Sequence, residues 1–161
     1  MKVKISKEIV EKYREIITQT HEEIINTSGG LRGIRDAGGL DHAITEIIKS
    51  GEKYHKTNPQ LASAKIYEML ATRHYFNDGN KRTSHLIAKL SMLSSKIHLK
   101  LYYKEAVKFI IDIADNKKTL KEIEDWLHEN SSHVETVDEY IKEFGEEIQE
   151  MKKWKEEHPD N

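Results

Sequence analysis

The chain has 161 residues, the size of one domain, with 37% hydrophobic and 34% charged residues and a formal net charge of −2. That balance sustains a single core under a charged surface, and it excludes any global attraction to nucleic acid or anionic membrane. Without cysteine there is no disulfide, thiolate zinc site or cysteine nucleophile, and a reducing cytosol is the expected compartment.

The N-terminal stretch "MKVKISKEIVEKYREI" breaks its apolar residues with charges, unlike a signal peptide. No run approaches the roughly 20 apolar residues of a membrane span. A soluble, cytoplasmic protein is expected. The first helix is predicted from about Ser6 to Asn26, with Ile9, Val10, Tyr13, Ile16, Ile17 and Ile24 as its apolar stripe. Ser6 reads as its N-cap, and Ser28–Gly30 stops it. "GGLRGIRDAGG" follows, too short and too rich in glycine for a helix, and reads as an exposed loop or a small hairpin. A short helix is expected over about Asp41–Lys49. Asn58-Pro59 then announces another, carrying Ala62, Ile66, Met69 and Leu70 and ending near Arg73.

Past "HYFNDGNKRTSH" (His74–His85), a helix is predicted from about Lys81 to Ser94, with Leu86, Ile87, Leu90 and Leu93 apolar. "KIHLKLYY" alternates like a strand but reads equally as a connector. "YKEAVKFIIDIA" is helical, and "TLKE" (Thr119–Glu122) is a capping box that opens the helix holding Ile123, Trp126 and Leu127. A final amphipathic helix is expected from Ser132 or Thr136 to Glu157. The predicted fold is mainly α and single-domain.

The polar stretch between two apolar helices carries the chemistry. A helix N-terminus exposes unpaired N–H groups and a partial positive charge. Gly79 and Asn80 place such groups where a phosphate can approach, glycine removing the side-chain obstruction. Lys81 and Arg82 add full charges, and arginine grips phosphate oxygens at two points. Asp78 is a hard oxygen ligand suited to Mg²⁺ already carried on phosphates. His74 accepts a proton near neutral pH, as a general base must. Phe76 reads as the anchor that buries the loop. Taken singly, each has an ordinary explanation, since Asp-Gly-Asn is a common turn and Lys-Arg a solvated pair. Their coincidence supplies the parts of phosphoryl or nucleotidyl transfer.

"HYFNDGNKR" resembles the signature of the Fic/Doc superfamily, H-x-F-x-[D/E]-[G/A]-N-[G/K]-R, at every signature position. Lys81, where AMP-attaching Fic enzymes have glycine, makes it more similar to the death-on-curing (Doc) toxin branch. "GLRGIRDAGGLDHAI" resembles a segment common in death-on-curing proteins, and the likeness spans roughly residues 5 to 130. The resemblance implies a Fic/Doc-like catalytic domain over 1–130 with a helical extension over 131–161. It implies that His74 deprotonates a target hydroxyl, Phe76 anchors the loop, Asp78 holds Mg²⁺, and Gly79, Asn80, Lys81 and Arg82 bind the phosphates of ATP. Ile34, Arg35, Asp36, Ala37, Gly38 and Gly39 would form the flap that aligns the target peptide by strand-like pairing. In the Doc branch the γ-phosphoryl group is transferred, the target is a hydroxyl of translation elongation factor Tu, and a helical segment of an antitoxin inhibits.

AMP transfer by a Fic-type enzyme and a non-catalytic binding module of the same fold are the alternatives. Fic AMP transferases carry a second arginine where this chain has His85, which weakens the AMP-transfer reading. His85 itself reads as a helix-surface histidine. The extension reads as a packing or dimer helix. A built-in inhibitor is the lesser reading, since "SSHVET" has Ser131 and Glu135 at the spacing of Fic inhibitory helices but Thr136 in the last position. The nine histidines are scattered, without an HExxH. "RTSHLIAKLSML" lacks the basic face of a DNA-reading helix.

Overall fold

The computed structural model describes residues 4–159. Most helices begin where a side chain replaces a missing backbone acceptor. Ser6 accepts the Ile9 N–H (3.3 Å) to start α1 (Lys7–Ser28), and Asp36 accepts the Gly39 N–H (2.8 Å) to start α2 (Ala37–Tyr54). Asn58 caps α3 (Pro59–Ala71) with proline in its first turn. α4 (Asn80–Ser94) differs: its N-cap is Gly79, at φ +77°, and no side chain caps it. α5 (Tyr103–Ala114) follows strand β1 (Ile97–Leu99), and α6 (Leu120–Glu129) opens on the expected Thr119–Glu122 capping box.

α3 lies against α2, α4 and α6, while α1 covers α4 on another side. Small residues let α3 approach closely: Ala62, Ser63, Ala64 and Ala71 are buried, and the Ser63 hydroxyl donates to the Ala88 carbonyl (3.3 Å). α4 is the hub. Its run Arg82–Lys89 is buried on every side, although five of those eight residues are polar. A helix so enclosed reads no DNA groove. Its apolar stripe is also shifted from the sequence expectation, since Leu90 is exposed. Tyr13 and Ile16 of α1 are exposed too, so its inward stripe is Ile17, His21, Ile24, Ile25 and Ser28.

Two sequence expectations change. The glycine-rich stretch is partly helical: Ala37, Gly38 and Gly39 form the first turn of α2, because Asp36 caps it there. The C-terminal segment is not one helix. Ser131–His133 is strand β2, antiparallel to β1 with Ile97 opposite His133, so "KIHLKLYY" does contain a strand. A short α7 (Asp138–Ile141) and then α8 (Glu143–Glu157) follow. The strand pairing takes Ser131 out of helix, and Glu135 sits in an exposed bend, so the inhibitory-helix geometry is not formed.

α8 presents acids at helical spacing to the body. Glu143 meets His98 (2.8 Å), Glu147 meets His85 and Lys89, and Glu150 meets Lys104 (3.2 Å). Met151 is fully buried, and Trp154 packs edge-on against Tyr103. Among the described residues no helix is long and apolar enough to cross a membrane.

Candidate active site

The polar stretch leaves α3 at Thr72 and folds back over α1 before α4 begins. Phe76 is its pivot. The ring is 2% exposed and stacks on His21 of α1, with centroids 3.9 Å apart and planes within 10°. Burying a phenylalanine stabilises by roughly 1.5–3 kcal/mol, which ties the loop to α1. The backbone around it is closed by one residue. The Asn80 side chain accepts from the Phe76 N–H and donates to the Phe76 carbonyl, both at 3.0 Å. Its amide therefore shapes the loop from within.

His21 was not legible as part of this site. Its Nε2–H donates to the Asp78 carbonyl (2.7 Å), which sets the tautomer, while its ring carries Phe76. Burial lowers its pKa, against the opposing pull of that carbonyl, so the ring stays neutral beside Arg82. The available signal was a polar residue on an otherwise apolar helical stripe, between Ile17 and Ile24.

The glycine-rich segment runs beside the loop. Ile34 bridges Phe76 in an antiparallel pair, with Arg35 N–H donating to the Tyr75 carbonyl (2.7 Å) and Asn77 N–H to the Gly33 carbonyl (3.1 Å). This is the pattern in which the bridged residues' own polar groups point apart. The N–H and C=O of Ile34 therefore face away from the loop, leaving an open edge flanked by the exposed side chains of Leu31 and Ile34. Of the six expected flap residues, Ile34, Arg35 and Asp36 lie in this extended segment. Ala37, Gly38 and Gly39 belong to α2.

Asp78 sits where the two segments meet. One carboxylate oxygen accepts the Gly79 N–H (2.7 Å) and faces Arg82 at 3.6 Å; the other accepts the Leu31 N–H (3.3 Å). The side chain remains 37% exposed. Gly30, at φ +122°, permits this approach, because a β-carbon there would lie 2.6 Å from the second oxygen. Gly79 also has a rationale beyond the one expected. Its missing β-carbon would lie 3.1 Å from Ile25 and 3.5 Å from His21, so glycine also serves the left-handed turn and packing against α1.

Arg82 is 4% exposed and fixed: one terminal nitrogen donates to the Ser28 hydroxyl (2.5 Å) and the Gly29 carbonyl (2.9 Å). Burial lowers its pKa and Asp78 opposes the shift, but guanidinium stays protonated. Its other edge carries only the long ion pair with Asp78 among the described residues. The N–H groups of Asn80, Lys81 and Arg82, the first turn of an uncapped helix, have no acceptor among the described residues. Lys81 is half-buried with its ammonium unpartnered, and His74 is exposed with its imidazole unpartnered, among the described residues. Free N–H groups and two cations at a helix start, with a carboxylate and a histidine in the same loop, are an arrangement chemically suited to an anion. No group of three or more metal-ligating side chains occurs among the described residues.

His85 corrects the surface expectation outright: it is 0% exposed. Its Nε2–H donates to Glu147 Oε1 (2.7 Å) and the Leu101 carbonyl (3.1 Å), and its Nδ1 pairs with the Tyr67 hydroxyl (2.6 Å). Lys89 completes the cluster, donating to Glu147 Oε2 (2.6 Å) and to the same carbonyl (3.1 Å). Position 85 thus faces the core, one turn beyond Arg82, and brings no cation to the start of α4.

No curated protein matches the chain. The model of the Fic/DOC family matches residues 9–92, more than half of the chain and inclusive of the whole loop, the extended segment and α4 as far as Met92. On that match, and on a signature whose every position stands in this loop, the chain belongs to the Fic/DOC family.

Proposed function

We propose that this chain is a Doc-like transferase that moves the terminal phosphoryl group of ATP onto a Ser/Thr hydroxyl of a protein. The observation that carries the reading is the uncapped start of α4, where three N–H groups without an acceptor among the described residues share a turn with Lys81 and a locked Arg82 that faces Asp78, while position 85 turns into the core. Such a cradle offers one arginine, not the two of the AMP-attaching pattern. In this reading His74 takes the proton of the acceptor hydroxyl as its oxygen attacks the γ-phosphorus, and the bond to the β–γ bridging oxygen breaks to release ADP. The N–H groups of Asn80, Lys81 and Arg82 orient the phosphates, and Arg82 and Lys81 balance their charge. The turn at Gly79 sets these amides in place. Phe76 and His21 hold the loop rigid.

Mg²⁺ suits the donor set. A lone, partly exposed carboxylate matches an ion that brings phosphate oxygens as its other ligands, and Asp78 would hold it there, supplying neutralisation of phosphate charge. The open edge of Ile34 would take the acceptor segment by strand pairing, with the N–H groups of Arg35 and Asp36 held by the Tyr75 carbonyl beside it. Residues 1–130 are the proposed catalytic domain, and 131–161 the packing extension. A Tu-type elongation factor as acceptor, with a helical antitoxin as inhibitor, completes the proposal on the strength of the family resemblance.

Incubation of the chain with cell extract and either γ-labelled or α-labelled ATP tests the direction of transfer. Label is expected on protein from the γ position alone. Label from the α position alone would establish AMP transfer and overturn the kinase reading.

A further inference from the structure

A cleft of about 490 Å³ opens on the far side of the loop, between the start of α2, the end of α3 and the α5–α6 connection. Met69, Ile113 and Ile123 form its apolar floor, and Tyr75 closes the side toward the loop. It adjoins the candidate active site through the chain itself. Arg73 and Tyr75, the two neighbours of His74, both line it, and so does Asp36, whose N–H donates to the Tyr75 carbonyl (3.1 Å).

The charges of this cleft are unevenly spent. Its two acids are occupied: Asp36 caps α2 through the Gly39 N–H, and Glu68 pairs with Lys65 at 2.8 Å. Lys118 rests over the Phe109 ring and faces Glu122. Arg73, His42 and the Asn116 side chain have no partner among the described residues, and all three are exposed. The groups left for a ligand are therefore a guanidinium, an imidazole and an amide above an apolar floor. A guanidinium matches a carboxylate in a two-point geometry, and a floor of this kind takes an aliphatic stem.

We infer that this cleft is the specificity pocket for an acidic residue flanking the acceptor hydroxyl of the protein substrate, with Arg73 as its carboxylate partner. The inference rests on the transferase reading above. A segment laid along the open edge at Ile34 runs toward Asp36 and the cleft mouth. One acidic side chain seated against Arg73 thereby holds the neighbouring hydroxyl at His74, the next residue in the chain.

Fluorescence anisotropy of the full chain with short labelled peptides tests it without requiring turnover. Three probes share one central threonine and differ only in flanks: acidic, neutral or basic. Tightest binding is expected for the acidic probe, weakening with salt. Arg73→Glu is expected to weaken that probe by about tenfold while leaving the melting temperature unchanged. Equal affinity for acidic and neutral probes, or an Arg73→Glu variant that binds unchanged, would overturn the pocket. Such a failure beside intact γ-label transfer would sink the pocket alone, whereas acidic-probe binding without label transfer would sink the transferase reading.

Discussion

A His74→Ala chain is expected to fold like the wild type and to lose transfer activity by about 10²–10⁴-fold, the range for removing a general base. The two halves of that expectation have separate physical causes. The imidazole is exposed and bonded to nothing among the described residues, so its loss opens no cavity and strands no polar group. Surface changes of that kind stay within about 0.5 kcal/mol. The loop beneath it is held by other residues, with Phe76 stacked on His21 and Asn80 bridging both Phe76 backbone groups. Label transfer and a thermal melt of the same preparation check both halves. A variant that kept full growth inhibition on expression would favour a non-catalytic binding module of this fold. A variant that unfolded would show His74 to be a structural residue.

Glu147→Ala is expected to lose about 3–5 kcal/mol of folding stability, the range for removing one partner from a buried ionic cluster. Glu147 is 0% exposed and is the only carboxylate reaching both His85 and Lys89 among the described residues. Without it the Lys89 ammonium stays 6% exposed with the Leu101 carbonyl and the Tyr102 ring face beside it but no counter-charge. Glu147→Gln keeps the volume and one acceptor, so its loss is expected to be smaller. Urea unfolding midpoints check the order. The pH dependence has a definite sign. Burial pushes the Glu147 carboxyl pKa up, but His85 and Lys89 together outweigh it, and the net shift is below the ordinary 4.5. A depressed folded-state pKa means a contribution fully present above about 4.5 and lost as pH falls through the folded value. Wild-type stability is therefore expected to drop more steeply than that of Glu147→Ala below pH 4.5. Parallel acid limbs for the two chains would contradict the assignment.

What the sequence disclosed was what is encoded locally. The caps Ser6, Asn58 and Thr119 work over three or four residues, and each stands where the pattern placed it. The loop from His74 to Arg82 was equally readable, because its chemistry is contiguous. Misreadings came from partners far away in the chain. His85 looked like a surface residue because Tyr67 and Glu147, which bury it, lie 18 and 62 positions away. Glu147 stands in so acidic a run that nothing marks it from Glu146, though only Glu147 faces the core. The pairing of β2 with β1 took Ser132 out of the expected final helix, since strand partners 32 to 36 positions apart leave no local mark. Gly79 has a second role that the sequence did not mark, since packing on Ile25 and His21 is visible only once α1 is in place.

In the proposed reading the first turn of α4 cradles the phosphates of a nucleotide. A titration of the ¹⁵N-labelled chain with Mg-ATP, followed by backbone amide shifts, addresses it directly. The Asn80, Lys81 and Arg82 amides are expected to move most and saturably, together with Gly79 and Leu31 beside Asp78, and the response is expected to weaken in Arg82→Ala. Saturable shifts confined to another face, or none at all, would contradict the cradle and the transferase reading built on it.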